Sequence, residues 1–364
     1  MKHVSIIGIG KLGLCLALNM ERKGYRITGV DVSEAYVRAV NEKTLQSDEA
    51  NVTAMLQQSS LLTATTDLVR ALESDILFVM VATPSLPDGT YDHTQVESVA
   101  SQLMALGRQD RRKDFIIGCT TMPGYSQTLA EKLEPFNYKV SYNPEFIAQG
   151  TIIKDQQYPD MVLIGEADEK AGDILESITR DVVENEPRYC RMTPTEAEIT
   201  KIALNCFLTT KIAYANMVGD VAEASGCRHE KILGAIGEDS RIGKKYLRYG
   251  FGFGGPCFPR DNRAFGVHAE RVGVYPHISY ATDKSNAHHL ELQSKSMAAK
   301  VNGSVKFDHV TYKPESTMIE QSQQLLLASR LADAGIAVTI HERPVVIDQV
   351  RKIYGDKFIY EVRS

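Results

Sequence analysis

The chain has 364 residues, of which 43% are hydrophobic and 24% charged, and its formal net charge is −5. This length favours two or three domains of ordinary globular composition, and the negative balance gives no electrostatic reason to expect nucleic acid or an anionic membrane as a partner. The start does not resemble a signal peptide, and no apolar run has the length of a membrane span. The six cysteines are scattered without a CxxC pair. That argues against a zinc site or a disulfide framework and favours a reducing cytoplasm.

The N-terminal segment predicts a dinucleotide-binding unit. A buried strand over residues 4–7 leads into a glycine-rich turn, a helix over 14–23 and a second strand over 26–30 that ends at Asp31. The turn carries the expected cofactor contacts: Gly8, Gly10, Lys11, Leu12 and Gly13. Its glycines serve the tight turn, the approach of the pyrophosphate and the packing of helix on strand. Asp31 at the strand end favours the ribose of NAD over that of NADP.

Three more strands are predicted over residues 75–81, 114–120 and 139–142, and polar residues follow each of them. In an open parallel sheet, ligands bind beyond the carboxyl ends of the strands. We therefore expect Thr83, Thr121 and Glu145 to converge near the nicotinamide of NAD. A strand-end threonine is more often a helix cap. Glu145 is either a solvated loop acid or a group that activates water or takes a proton.

The middle of the chain predicts a long helix. Thr193 and Glu196 form a capping box around Pro194, apolar residues follow at helical spacing, and Gly226 ends the helix. We expect this helix to serve packing and a homodimer interface. Lys201 and Asn205 share one of its faces, where they can hold a developing oxyanion and a water. The alternative is a lysine that extends along the surface to solvent.

A glycine-rich stretch over residues 250–255 leads to Cys257, with Arg260 and Asp261 behind it. Glycines allow backbone to approach a ligand closely, and a thiol beside a cation is biased toward the thiolate. The stretch therefore predicts a nucleophilic cysteine next to a ligand loop. The alternative is a structural turn with a buried cysteine.

The last part predicts a strand over 308–313, a helix over 316–334 and a strand over 336–340, with room for about one more helix and strand. The fold class is therefore α/β. We predict a Rossmann-like doubly wound NAD domain over 1–186, a central helical domain over 187–302 and an abridged C-terminal α/β domain over 303–364.

Taken together, the motifs resemble those of the UDP-glucose/GDP-mannose dehydrogenases, with the closest likeness to the UDP-glucose 6-dehydrogenases. The resemblance runs through most of residues 1–300. It rests on the glycine turn, Thr121-Met122-Pro123, Asn143-Pro144-Glu145-Phe146, the Lys201/Asn205 helix, Arg241-Ile242-Gly243 and the cysteine loop, which occur in family order. β-Hydroxyacid dehydrogenases share the N-terminal fold and a helical Lys/Asn pair, but they lack this cysteine loop.

The resemblance implies a four-electron oxidation of a nucleotide sugar at C6 with two NAD. Cys257 would capture the aldehyde as a thiohemiacetal and carry the later thioester. Lys201 and Asn205 would stabilise the oxyanion, Asp261 would assist proton transfer with Lys201, and Thr121 and Glu145 would position or activate the hydrolytic water. NAD contacts are assigned to the glycine turn, Asp31, Thr83, Thr121 and Arg260. Substrate contacts are assigned to Glu145, Phe146, Lys201, Asn205, Arg241, Tyr246, Tyr249, Phe251, Gly252, Gly254 and Lys313.

The chain also departs from the family pattern. Arg260 replaces a lysine, Gln149 a second glutamate, Pro256 a small residue and Glu320 an arginine. These changes and the abridged C-terminal part leave the substrate open. UDP-glucose is favoured; the alternatives are another activated sugar such as UDP-N-acetyl-mannosamine, or a catalytically silent relative that binds nucleotide sugars.

Overall fold

A computed structural model describes residues 2–314 and 316–363. The chain packs as two compact units, the first running through Lys201 and the second beginning at Ile202. The three-part domain division remains a prediction beside this packing. None of the helices in the described residues is long and apolar enough to cross a membrane.

The first unit is built on one eight-stranded sheet. Its strands are β1 His3–Ile7, β2 Arg26–Val30, β3 Leu62–Thr65, β4 Ile76–Val79, β5 Lys113–Ile117, β6 Tyr138–Tyr142, β7 Met161–Gly165 and β8 Arg188–Met192. The spatial order is β3-β2-β1-β4-β5-β6-β7-β8. The first six strands are mutually parallel, and β7 runs antiparallel to β6. The order reverses between β1 and β4, which places a ligand crevice at their carboxyl ends and confirms the Rossmann-like prediction.

Helices cover this sheet on both faces. They are α1 Lys11–Arg22, α2 Glu34–Asn41, α3 Val52–Gln58, α4 Thr94–Ala105, α5 Tyr125–Leu133, α6 Ile152–Gln157 and α7 Glu169–Val182. Two apolar clusters of buried side chains fill the layers between helices and sheet. Helix α1 begins at Lys11, earlier than predicted, so the second half of the glycine turn forms its first turn.

The long helix α8 spans Pro194–Ala224. Its predicted capping box is present: the backbone N–H and the hydroxyl of Thr193 donate to Oε2 of Glu196 at 2.8 and 2.7 Å, and the N–H of Glu196 donates back to Thr193 Oγ1 at 3.4 Å. The helix ends before Gly226, whose φ of +66° suits a glycine.

The second unit contains the remaining helices and a small sheet. Its other helices are α9 His229–Glu238, α10 Phe258–Arg271, α11 His277–Lys300, α12 Gln323–Asp333 and α13 Pro344–Tyr354. The sheet comprises β9 Ser304–Phe307, β10 Ala337–Glu342 and β11 Ile359–Val362, all parallel in the order β11-β10-β9. The predicted βαβ arrangement is confirmed, as are the additional helix and strand.

Two predicted elements of this region are placed wrongly. The first strand is Ser304–Phe307, and the predicted strand over 308–313 is instead irregular backbone. Helix α12 begins only at Gln323, with Ser322 as its N-cap accepting from the N–H of Leu325. Apolar alternation cannot distinguish a short edge strand from a loop with two buried side chains, and Val310 and Thr311 are both buried.

Candidate functional site

The glycine turn after β1 has the space and the donors that a dinucleotide needs. Gly8 has a φ of +89°, and a Cβ there would lie 2.9 Å from the backbone of Met80. A Cβ at Gly13 would lie only 2.0 Å from the carbonyl oxygen of Gly8. At Gly10, in contrast, a Cβ would meet no atom within 4 Å. The turn is therefore packed at Gly8 and Gly13 and open at Gly10, next to the first N–H groups of α1, as pyrophosphate binding requires.

Asp31 follows β2 on the same side of the sheet. The N–H of Ser33 donates to its Oδ1 at 3.1 Å, which orients the carboxylate at the strand end. Lys11 at the start of α1 pairs with Asp48 at 2.9 Å, and Leu12 packs partly buried against the core. The residues present thus fit an NAD adenosine half, with Asp31 placed to accept from ribose hydroxyls.

Thr83 and Thr121 lie at the ends of neighbouring strands, and both are buried. The hydroxyl of Thr83 donates to the carbonyl oxygen of Thr120 at 2.7 Å. The hydroxyl of Thr121 donates at 2.8 Å to Oε1 of Glu198, on the first turns of α8. Because the hydrogen of Thr121 is committed to that carboxylate, Thr121 can act on a water only as an acceptor.

Glu198 is a structural residue that the sequence analysis missed. Its fully buried carboxylate also accepts from the N–H of Gly124 at 2.6 Å and from the N–H and hydroxyl of Ser126 at 2.9 and 2.6 Å. Burial raises the pKa of Glu198, and the four donors oppose that shift. Glu198 thereby caps α5 and ties the Thr121 loop to α8.

Glu198→Gln should lower the free energy of unfolding by about 2 kcal/mol or more, because an amide places two hydrogens where donors already point. Urea unfolding followed by circular dichroism measures this. Glu131→Gln, on the exposed surface of α5, is the matched control and should change little. An equal effect of the two substitutions would show that the Glu198 contacts carry no net stability.

Glu145 and Phe146, in the loop after β6, meet Lys201 of α8. The Lys201 ammonium donates to the backbone carbonyl of Glu145 and lies 4.2 Å from the centre of the Phe146 ring. Desolvation by burial raises the pKa of the Glu145 carboxyl to about 7, although the charge of Lys201 opposes the shift. A carboxyl that titrates near neutrality is suited to accept a proton, and the reading of Glu145 as a solvated loop acid is not supported.

Behind Glu145 lies a buried amide cluster that no sequence pattern indicated. Gln156 Nε2 on α6 donates to Glu145 Oε1 at 3.4 Å, and Gln156 Oε1 accepts from Asn19 Nδ2 of α1 at 2.9 Å. Gln157 Nε2 donates to Asn19 Oδ1 at 2.8 Å. Since Asn19 supplies the donor, Gln156 must turn its own N–H toward the Glu145 carboxylate.

In the second unit, Cys257 is the N-cap of α10 and its side chain is exposed. The interpretation of this cysteine as a buried structural residue is therefore wrong. The positive end of a helix dipole favours a thiolate at this position. Behind it, Arg260 Nε donates to Asp261 Oδ1 at 3.0 Å, and Asn205 Nδ2 donates to the other oxygen of the buried Asp261 at 2.6 Å. These contacts fix the first turn of α10.

The glycine loop before Cys257 is tightly packed. A Cβ at Gly252 would lie 2.2 Å from Asn286 Oδ1, and one at Gly254 would lie 2.3 Å from the carbonyl oxygen of Gln321. Gly255 has a φ of +80° and a Cβ there would lie 2.6 Å from the Tyr312 ring. Only glycine fits at these positions, which explains the composition of the loop.

The other predicted substrate residues are spread over the second unit. Arg241 is 86% exposed and forms a two-pronged pair with Asp239 at 3.0 and 2.7 Å. Tyr246, with a φ of +62°, packs edge-on against Phe258. Phe251, in the loop itself, is exposed.

Tyr249 and Lys313 are the two other residues of the second unit predicted to contact substrate. The hydroxyl of Tyr249 donates to Asp220 at 3.1 Å. Lys313 lies 5.9 Å from the ring of Tyr312. The structure thus places Lys201 with Glu145 in the first unit and Asn205 with Asp261 in the second unit.

The family models for the UDP-glucose/GDP-mannose dehydrogenase family match the chain over two stretches, the NAD binding domain over residues 2–183 and the central domain over residues 195–288. The GDP-mannose 6-dehydrogenase of Pseudomonas aeruginosa is 29% identical over 94% of this chain and 81% of its own length. The UDP-glucose 6-dehydrogenase of Haloferax volcanii is 29% identical over 97% of this chain and 86% of its own length.

Solved structures agree with these sequence matches. A UDP-glucose dehydrogenase from the archaeon Pyrobaculum islandicum, 29% identical, superposes with a TM-score of 0.88 and covers 99% of this chain and 86% of that one. A UDP-D-ManNAc dehydrogenase from Pyrococcus horikoshii, 21% identical, shares the fold with a TM-score of 0.81. With an NAD-binding turn, an eight-stranded Rossmann-like sheet and both family domains in place, the chain belongs to the UDP-glucose/GDP-mannose dehydrogenase family of NAD-dependent nucleotide-sugar dehydrogenases.

Proposed function

We propose that this chain oxidises the C6 alcohol of a nucleotide sugar to the carboxylate, with UDP-glucose as the favoured substrate. The observation that carries the proposal is the exposed thiol of Cys257 at the N-terminus of α10. A dehydrogenase that stopped at the aldehyde would need no nucleophile there. The ordered Arg260, Asp261 and Asn205 contacts behind the thiol support the same reading.

NAD, when bound, accepts a hydride in each of the two oxidations. Between them, the Cys257 sulfur forms a bond to the aldehyde carbon, and the resulting thiohemiacetal keeps the aldehyde in the enzyme. The second oxidation gives a thioester. Water then breaks the carbon–sulfur bond, releasing the carboxylate and returning the thiol. Lys201 and Asn205 are proposed to stabilise the negative oxygen of these adducts, and Asp261 to assist proton transfer.

Glu145 is the proposed base for the hydrolytic water. With a pKa raised to about 7, its carboxyl is protonated and inactive in mild acid and ionised above neutrality. The rate of thioester hydrolysis should therefore rise with pH through about 7 and then level off. The hydroxyl of Thr121 is proposed to orient this water as an acceptor.

Gln156→Leu should shift the rising limb of the pH–rate profile for thioester hydrolysis to higher pH by about half a unit. The substitution removes a hydrogen bond to the ionised carboxylate, and the loss of about 0.7 kcal/mol disfavours ionisation by that amount. The measurement is the pH dependence of carboxylate release under single-turnover conditions.

Gln157→Leu is the matched control, since Gln157 Nε2 donates to Asn19 and the bond to Glu145 comes from Gln156. It should leave the limb in place. A role of Gln156 in setting the ionisation of Glu145 would be contradicted by either of two results. The rate in the Gln156 variant could rise at the same pH as in the parent, or the rise could shift equally in both variants.

The identity of the sugar nucleotide is the less constrained part of the proposal. Relatives named for UDP-glucose and for GDP-mannose are equally similar to this chain, at 29% identity. Glu320, where the family pattern has an arginine, is exposed and adds a negative charge in the segment before α12. The alternatives are therefore the same chemistry on another activated sugar, or a silent relative that only binds one.

One assay separates these possibilities. Purified protein is mixed with NAD and, in turn, UDP-glucose, GDP-mannose and UDP-N-acetyl-mannosamine, while NADH and sugar acid are quantified. The expected result is two NADH and one carboxylate per UDP-glucose. Turnover with another donor alone would reassign the substrate, and binding of nucleotide sugar without NADH would support the silent relative.

We also propose a homodimer formed through α8. Phe207, Tyr214 and Val221 recur every seven residues along this helix and are 68%, 48% and 62% exposed. Such a spacing places three apolar side chains on one face, which a second copy of the helix can cover. In sedimentation experiments the parent protein should be a dimer and the Tyr214→Lys variant a monomer. A parent protein that sediments as a monomer would contradict the proposal.

A further inference from the structure

A buried histidine lies behind the glycine loop, outside every residue assigned to the site above. His289 of α11 is 2% exposed. Its Nδ1 faces both oxygens of Asp220 on α8, at 2.8 and 3.0 Å. Its Nε2 faces the carbonyl oxygen of Gly250, the first glycine of the loop, at 2.6 Å.

Both ring nitrogens of His289 therefore face acceptors. A carbonyl oxygen can only accept, so Nε2 must carry a hydrogen. A neutral ring would then present the lone pair of Nδ1 to a carboxylate, an arrangement without a hydrogen between two acceptors. An imidazolium donates to both sides and pairs its charge with Asp220.

The other groups around the ring are compatible with a positive charge. Tyr249 meets the ring edge-on with a centroid distance of 5.4 Å, and its hydroxyl donates to Asp220 at 3.1 Å. Burial raises the pKa of Tyr249, so the phenol is neutral. His229 lies on the Tyr249 ring at 4.5 Å, and Gln293 Nε2 donates to the same Gly250 carbonyl at 2.9 Å.

Between Gly250 and Cys257, hydrogen bonds and close contacts hold the backbone of the loop at several positions, of which the Gly250 carbonyl is the first. Asn216 Oδ1 accepts from the N–H of Gly250 at 3.0 Å. Asn286 makes two bonds to the backbone of Phe253, at 2.9 and 3.0 Å. The close approaches at Gly254 and Gly255 follow, and Cys257 then begins α10. A displacement of Gly250 is thus passed along a loop that has little room to absorb it.

We propose that His289 is an imidazolium clamped between Asp220 and the Gly250 carbonyl, and that this charged clamp is a positioning device for the loop that presents Cys257. Its bearing on catalysis rests on the proposed function. Two readouts do not: the protonation of the ring, and the reactivity of the thiol toward a small alkylating agent.

The ring is observed directly by ¹⁵N NMR of histidine-labelled protein, with His289 assigned from the His289→Gln variant. At about pH 8, where an ordinary imidazole is neutral, both nitrogens of His289 should carry hydrogens. Asp220→Asn is the decisive variant, because an amide can donate to Nδ1 and keep every hydrogen bond without the second proton. In that variant the ring should be neutral at the same pH. A neutral ring in the parent would overturn the proposal.

The effect on the loop is measured as the rate of Cys257 alkylation by iodoacetamide, followed by mass spectrometry between about pH 6 and 10. His289→Gln should change this rate about threefold or more relative to the parent. His288→Gln, the exposed neighbour on α11, should retain the parent profile.

Alkylation of the exposed Cys227 provides an internal reference and should be the same in all variants. A parental Cys257 profile in His289→Gln would overturn the positioning role even if the ring proves to be charged. Conversely, absence of dehydrogenase activity with all sugars would leave both readouts intact, so failure of the proposed function is distinguishable from failure of the clamp.

Discussion

Replacing Cys257 by alanine should reduce formation of the sugar carboxylate by at least about 10³-fold, since no other group then holds the aldehyde for a second oxidation. In the proposed mechanism, the first oxidation does not use the thiol. The variant should therefore still transfer one hydride and release aldehyde slowly, which a hydrazine reagent traps. The measurement is the ratio of NADH to carboxylate over the course of the reaction, with UDP-glucose as the first substrate.

The chain offers a matched control for this substitution. Cys227 is also exposed, lies in the same unit and follows the end of α8, and Cys227→Ala should leave both oxidation steps unchanged. If Cys257→Ala still released carboxylate at the parental rate, the covalent mechanism would be wrong and the aldehyde would have to be oxidised as its hydrate. Loss of NADH formation altogether would instead place Cys257 in substrate binding.

Gly10→Ala should weaken NAD binding more than about tenfold, a cost above about 1.4 kcal/mol, while leaving the fold intact. Gly10 has a φ of −59°, which alanine adopts without strain, and a Cβ would meet no protein atom within 4 Å. The methyl group would occupy only the space that the pyrophosphate needs. Calorimetric titration with NAD and thermal unfolding of the free protein measure the two effects separately.

Gly13→Ala is the contrasting substitution. Its Cβ would lie 2.0 Å from the Gly8 carbonyl oxygen, so this variant should lose thermal stability together with NAD binding. Gly234→Ala, at a helical position in α9 with no atom within 4 Å, should alter neither. If Gly10→Ala bound NAD as the parent does, the cofactor would not lie against this turn.

Much of the first unit could be predicted because its signals are local. The glycine turn, the strand before it and the acid after β2 are set by neighbouring residues, as are the capping-box contacts of Thr193 and Glu196. These patterns depend on backbone geometry within a few residues. The same locality explains why helix and strand ends moved by only a few positions.

The residues that the sequence analysis missed are defined by distant partners. Glu198 is 77 residues from Thr121, and Gln156 is 137 residues from Asn19. His289 is 69 residues from Asp220. In the sequence alone, a glutamate, a glutamine or a histidine on a helix is expected to be exposed to solvent, because its distant partner is not visible there. The strand wrongly predicted over residues 308–313, just after β9, has a similar origin, because its buried side chains belong to a loop.

The raised pKa of Glu145 also has a consequence for the stability of the first unit. The unfolded carboxyl releases its proton near its usual value of 4.5, whereas the folded one does so only at about 7. Between these values the Glu145 site binds fewer protons in the unfolded chain than in the folded one, so its contribution to the free energy of unfolding falls as pH rises, by about 3 kcal/mol over the whole interval. Above neutrality, the ionised form of Glu145 that its proposed role as a base requires therefore contributes less to stability. Thioester hydrolysis should thus reach its plateau at a pH above the range in which Glu145 contributes most to stability.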